Sequence, residues 1–108
     1  MEREIKFRCW NEWADRNEMV YFTLDTAMIF ENCTTNAKVM EYTGLKDKNG
    51  TGIYEGDIHK DEENMLWEVI FDKGMFILEN MEIPGRQFIT EDIEYIGNKY
   101  ENAEMLED

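Results

Sequence analysis

His59 and Asp57 are the two residues whose types and spacing come nearest to acid–base chemistry. His59 is the only histidine. On a strand, residues two apart share a face, so an Asp57 carboxylate could orient the imidazole as a general base requires. The plainer reading of the same pair is an exposed or half-buried strand histidine, and it is preferred here. The remaining candidates are thinner. Cys9 and Cys33 form no C-x-x-C and, with His59, supply at most three scattered zinc ligands. Arg8 neighbours Cys9 but alternates to the opposite face, where it cannot lower the thiol pKa. The chain has no serine, which excludes a serine hydrolase, and it has neither a G-x-x-x-x-G-K-[ST] nor a G-x-G-x-x-G phosphate loop. Asp47, Asn49 and Thr51 echo the start of a calcium loop. The twelfth position, where a bidentate glutamate belongs, is Ile58, and Lys46 and Lys48 oppose a cation. The expectation is no catalytic residue, no metal ligand, no cofactor and no enzyme activity.

Short strands would position these residues. Residues 3–10 alternate strictly: Ile5, Phe7 and Cys9 on one face, Glu4, Lys6 and Arg8 on the other, as in a half-buried strand. Met19 to Leu24 reads as its hairpin partner. Residues 25–38 are ambiguous, with Asp25 placed to cap a short helix, and Val39 to Tyr42 is a further strand. Residues 42–58 hold four of the seven glycines. Within them Asp47-Lys48-Asn49-Gly50 is a turn, with Asn-Gly suited to positive φ at successive positions, and Gly56-Asp57-Ile58 launches the next strand. Met65 to Phe71 and Met75 to Leu78, joined through Asp72-Lys73-Gly74, form the clearest hairpin. Phe88-Ile89 and Ile93 to Ile96 close the series before Gly97-Asn98, leaving an acidic tail from Tyr100. Short strands with turns every eight to twelve residues argue for a small barrel or sandwich.

The chain has 108 residues, 25 acidic and 11 basic, and a net charge of −14. One domain fits that length. The charge disfavours nucleic acid and anionic lipid as partners, although Arg3, Lys6, Arg8 and Arg16 concentrate four basic residues in the first sixteen. No apolar run approaches a membrane span and no signal-peptide pattern opens the sequence. The expected setting is the cytoplasm, with both thiols reduced. Trp13, Tyr54 and Trp67 are the candidate contact aromatics, because aromatic side chains serve as binding anchors. Trp13, in a polar loop, is the one expected to be exposed.

Arg3-Glu4-Ile5-Lys6-Phe7-Arg8-Cys9-Trp10-Asn11 resembles the opening of the YopX family of phage and prophage proteins. Met40 to Leu45, Asp47 to Gly50 and Ile53-Tyr54-Glu55-Gly56-Asp57-Ile58 resemble its central motif. Gly97-Asn98-Lys99-Tyr100-Glu101-Asn102 and Leu106 resemble its closing one. Cys9, Asn11, His59 and Gly52 depart from the usual residues. The resemblance implies a mainly β domain over residues 1–108, with an N-terminal hairpin and strand subdomain over 1–41 and an SH3-like barrel over 42–108. It implies a bacterial-host setting and brings no activity or cofactor.

The reading that follows is an accessory protein-interaction module. Its leading form is a homo-oligomer, since short β-domains leave strand edges that pairing can cover; an unidentified protein of the host is the other expected partner. The alternative, motivated by the −14 charge, is an acidic DNA mimic that occupies a host nucleic-acid-binding protein.

Overall fold

The computed structural model describes residues 5–23 and 37–102. The ambiguous segment's Asp25, the second cysteine and Leu106 of the tail lie outside these residues. The described chain is all β. Nine strands run β1 (Lys6–Glu12), β2 (Asn17–Thr23), β3 (Lys38–Lys46), β4 (Gly52–Tyr54), β5 (Asp57–Lys60), β6 (Leu66–Asp72), β7 (Met75–Asn80), β8 (Arg86–Phe88) and β9 (Glu94–Asn98). They form a four-stranded sheet ordered β2-β1-β3-β4 and a five-stranded sheet ordered β8-β7-β6-β5-β9. Every pairing between them is antiparallel.

Turn chemistry sets the connections. Lys73 (φ 52°) and Gly74 (φ 84°) are the two central residues between Asp72 and Met75, which face each other across β6 and β7. Two successive positive φ values make the turn whose twist matches a hairpin, as the sequence indicated. The turn at Asp47 differs from expectation. The Gly50 N–H donates to the Asp47 carbonyl at 3.0 Å, and Gly50 alone carries the positive φ, at 86°. Asn49 therefore sits in ordinary backbone. Within β3, Gly44 (φ 89°) marks the register shift between Tyr42 and Lys46. The Thr43 hydroxyl organises this irregularity, donating to the Ile53 carbonyl at 2.8 Å and accepting the Leu45 N–H at 3.1 Å.

The apolar core lies on the inner face of the second sheet, where Trp67, Val69, Leu78 and Ile93 pack with Ile53 from β4 and with Met65 and Ile89. Val69 and Leu78 are direct cross-strand partners, and side chains so placed are the unit of sheet stabilisation. Ile53 belongs by pairing to the first sheet but buries its side chain in the core of the second.

The first strand corrects the half-buried expectation. The alternation holds, yet Arg8 on the polar face and Cys9 on the apolar face are both buried. The polar face of β1 turns toward the second sheet, so the cation sits inside. Cys9 is disulfide-bonded rather than a reduced thiol.

Candidate functional site

The polar centre of the molecule is where β1 meets β5. β1 delivers Arg8, and a glycine turn into β5 delivers Asp57 and His59. Arg8 Nη2 donates to Asp57 Oδ1 at 2.7 Å and to the Glu55 carbonyl at 3.1 Å. The second Asp57 oxygen accepts the Tyr54 N–H at 2.8 Å. The Arg8 guanidinium also stacks over the Tyr54 ring, 4.7 Å from its centroid. A buried carboxylate needs such partners, because an uncompensated charge in a low-dielectric interior is strongly disfavoured.

Gly56 makes this approach close. Its φ is +89°, and a Cβ there would lie 3.1 Å from Met40 Sδ and 3.8 Å from Arg8 Nη2. Its N–H donates to the Val69 carbonyl at 2.8 Å and its carbonyl accepts from Lys99 N–H at 3.0 Å. The turn is thereby tied to the sheet on both sides. Asp57 caps a nearby backbone N–H, the role its short side chain suits.

The structure brings together the pair that the sequence marked for acid–base work. His59 Nε2 lies 3.5 Å from Asp57 Oδ2, too long for a strong hydrogen bond. Both ring nitrogens are buried without a hydrogen-bond partner, and the ring packs edge-on against Tyr95 at 5.7 Å. The Asp57 side chain is 1% exposed and His59 0%. Both carboxylate oxygens are already engaged. The arrangement is sealed from solvent and offers no substrate a route to either group.

Asp47 forms a second node. Its Oδ1 accepts the Asn49 N–H at 2.9 Å and the Thr51 N–H at 2.8 Å, while Oδ2 accepts the Tyr95 N–H at 2.8 Å. Burial alone would raise the carboxyl pKa. The three backbone donors, Tyr95 foremost, reverse that and hold it below the usual value. The residue that echoed a calcium ligand is therefore the cap of its own turn and a tie to β9. Among the described residues, no group of three His, Cys, Asp or Glu side chains is placed to hold a metal. Asn98 plays a similar part at the end of β9, accepting the N–H groups of Tyr100 and Glu101 at 3.0 and 2.8 Å.

The three candidate contact aromatics have different fates. Trp13 is 39% exposed, but its indole N–H donates to Glu18 at 2.8 Å and Arg16 lies over its ring at 5.6 Å. Tyr54 is half-buried and lines a surface depression with Tyr21, Lys6, Phe22 and Thr23, its ring edge-on to Tyr21 at 5.5 Å. Burial and the neighbouring Tyr21 raise its hydroxyl pKa. Trp67 is a core residue, 9% exposed, with its indole N–H donated to Asp61 at 3.0 Å. Its ring is turned inward, into the core of the second sheet. Sequence reasoning did not single out Phe88, at 70% the most exposed large hydrophobic side chain among the described residues.

A family model described as YopX protein matches residues 23–107. The chain belongs to the YopX family. The matched region takes in the Asp47 turn, the Gly56-Asp57 step and the whole second sheet. Arg8, which completes the buried ion pair, lies before it. Among solved structures, the crystal structure of protein EF1440 from Enterococcus faecalis is similar in fold, with a TM-score of 0.61 and 24% sequence identity. The match covers 98% of this chain and 100% of that one. No curated protein matches this YopX-family chain.

Proposed function

We propose that this YopX-family chain is a non-catalytic protein-interaction module of phage or prophage origin that acts inside the bacterial host. The observation that supports the reading is the contrast between its two sets of side chains. The pair best suited to catalysis is sealed inside as a structural tie. Large apolar groups stand outside on both sheets: Tyr21, Val39 and Leu45 on the first, Phe71 and Phe88 on the second. Exposed apolar groups mark contact surfaces where they adjoin, as Phe88 adjoins Ile77 across the ladder and Tyr21 adjoins Tyr54. Within that host the Cys9 disulfide favours an oxidising compartment such as the periplasm over the reducing cytoplasm.

The DNA-mimic alternative would need its carboxylates arrayed along one face. The register does put Glu68, Asp72, Glu79 and Glu94 on one face of the second sheet, but these carboxylates are met by cations of the chain itself. Asp15 and Glu18 meet Arg16, Glu94 meets Lys48 and Lys60, Asp72 and Glu79 meet Arg86, and Glu68 meets Lys99. That internal pairing favours the interaction module. The test is co-purification from expressing bacteria of the wild type and of a variant with Tyr21, Leu45 and Phe88 changed to serine. A protein recovered with the wild type and lost with the variant supports the reading. Identical recovery by both would contradict it.

A further inference from the structure

β8 is the outer strand of the second sheet, and all three of its residues are exposed. Its backbone hydrogen-bond parity can be worked out from one bond. Asn80 N–H donates to the Gly85 carbonyl at 2.9 Å, which makes that opposed pair a hydrogen-bonded one. In an antiparallel ladder, hydrogen-bonded and non-hydrogen-bonded pairs alternate. The ladder continues as Glu79 with Arg86, Leu78 with Gln87 and Ile77 with Phe88. Gln87 therefore points its N–H and carbonyl inward to Leu78. Arg86 and Phe88 point theirs outward, along an edge that no strand covers among the described residues.

Native proteins guard such an edge with charge, proline, a bulge or a covering segment. Pro84 precedes this strand, but Arg86 does not stand guard. It folds back across the sheet, with Nη1 2.8 Å from Asp72 Oδ2 and Nη2 2.9 Å from Glu79 Oε2. Phe88 shares its face with the cross-strand Ile77, and Ile83 beside the strand is 56% exposed. The edge thus offers four outward backbone groups and an apolar strip.

We infer that β8 is a docking edge for an extended, net-basic peptide segment of another protein. The segment adds as a sixth strand, bonding to the outward groups of Arg86 and Phe88 and laying an apolar side chain beside Phe88. Charge selects the occupant. Arg86 is taken up by Asp72 and Glu79, and the segments flanking β8 add Glu82, Glu91 and Asp92 with no further basic residue. A second copy would bring the same acidic rim to the same edge, on a chain of net charge −14. A basic strand meets that rim with complementary charge. The inference rests on the interaction-module reading and names its surface.

The probe is a fluorescein-labelled peptide of alternating lysine and valine, titrated into the full-length protein and followed by anisotropy. Saturable binding is expected. Phe88→Pro should weaken it at least tenfold, because proline removes an outward N–H while leaving the inward bonds of Gln87 intact. That variant should melt like the wild type. A second arm needs no variant: a peptide N-methylated at alternate residues, on its edge-facing side, should lose affinity equally. Binding that survives both changes would be electrostatic adhesion and would overturn the inference. So would a light-scattering mass twice the 12.9 kDa of the chain that reverts to monomer in Phe88→Pro, since the edge would then belong to a second copy. If the peptide fails to bind while a host protein is still lost from the triple-serine variant, the inference falls and the interaction reading stands.

Discussion

The Arg8 guanidinium and the Asp57 carboxylate meet at 2.7 Å across 49 positions of sequence, with their side chains 2% and 1% exposed. This contact joins the four-stranded sheet to the five-stranded one, and it is made of charge. Breaking a buried pair by removing one partner strands the other in a low-dielectric interior. Arg8→Met should therefore lower stability by about 3–5 kcal/mol, read as a shift in the urea midpoint. The double variant Arg8→Met/Asp57→Asn should recover part of the loss, because no full charge remains buried. A double variant as unstable as the sum of the singles would show that the two residues act independently.

Gly56 and Gly50 separate backbone conformation from crowding. Both carry positive φ, but a Cβ at Gly50 meets nothing within 4 Å, whereas one at Gly56 meets Met40 Sδ at 3.1 Å. Gly50→Ala should cost about 1–2 kcal/mol from conformation alone. Gly56→Ala should cost more, since it also presses on the Met40 side chain and the Arg8 end of the ion pair. Equal losses in chemical denaturation would mean that the Gly56 turn tolerates its neighbours.

His59 carries two buried ring nitrogens without hydrogen-bond partners. An apolar side chain of similar size removes that desolvation cost without leaving a broken bond behind. His59→Leu should fold and lie within about 1 kcal/mol of the wild type or above it. A loss well beyond that in the denaturation midpoint would show that the imidazole has an energetic role the contacts do not reveal.

Asp47 contributes to the acid limb of stability. Its pKa is lowered in the folded protein, despite burial, by the N–H groups of Tyr95, Thr51 and Asn49. A group depressed on folding stabilises above its unfolded pKa, and that contribution is lost as pH falls through the folded value. The wild type should therefore lose stability as pH falls below the ordinary carboxylate range. Asp47→Asn should be less stable at neutral pH by about 1–3 kcal/mol and should show a flatter acid limb. An unchanged slope in pH-dependent thermal melts would place the titration elsewhere.

The fold was readable where local chemistry dictates it. The β6–β7 hairpin follows from alternating apolar residues around Asp72-Lys73-Gly74. The Gly56-Asp57 step is legible as a glycine turn followed by a capping acid. What could not be read depends on long-range pairing. Nothing near Arg8 signals that its strand is covered on both faces, because the cover comes from residues 49 positions away. Trp13, Tyr54 and Trp67 are equivalent as residue types. Only the register of β6 turns Trp67 inward, and only the hairpin closed by Glu18 and Arg16 holds Trp13 in place. Phe88 became visible as a surface feature once the strand order put β8 at an edge.

We propose that the buried ion-pair centre with His59 is a structural tie and that contact is made at the surface. Peptide affinity, measured side by side for His59→Leu and Phe88→Pro with the same lysine–valine probe, tests both halves at once. The predicted result is wild-type affinity for His59→Leu and at least a tenfold loss for Phe88→Pro, with both variants folded. Binding lost in a folded His59→Leu and kept in Phe88→Pro would contradict the account, placing the working site at the centre of the molecule and not at its edge.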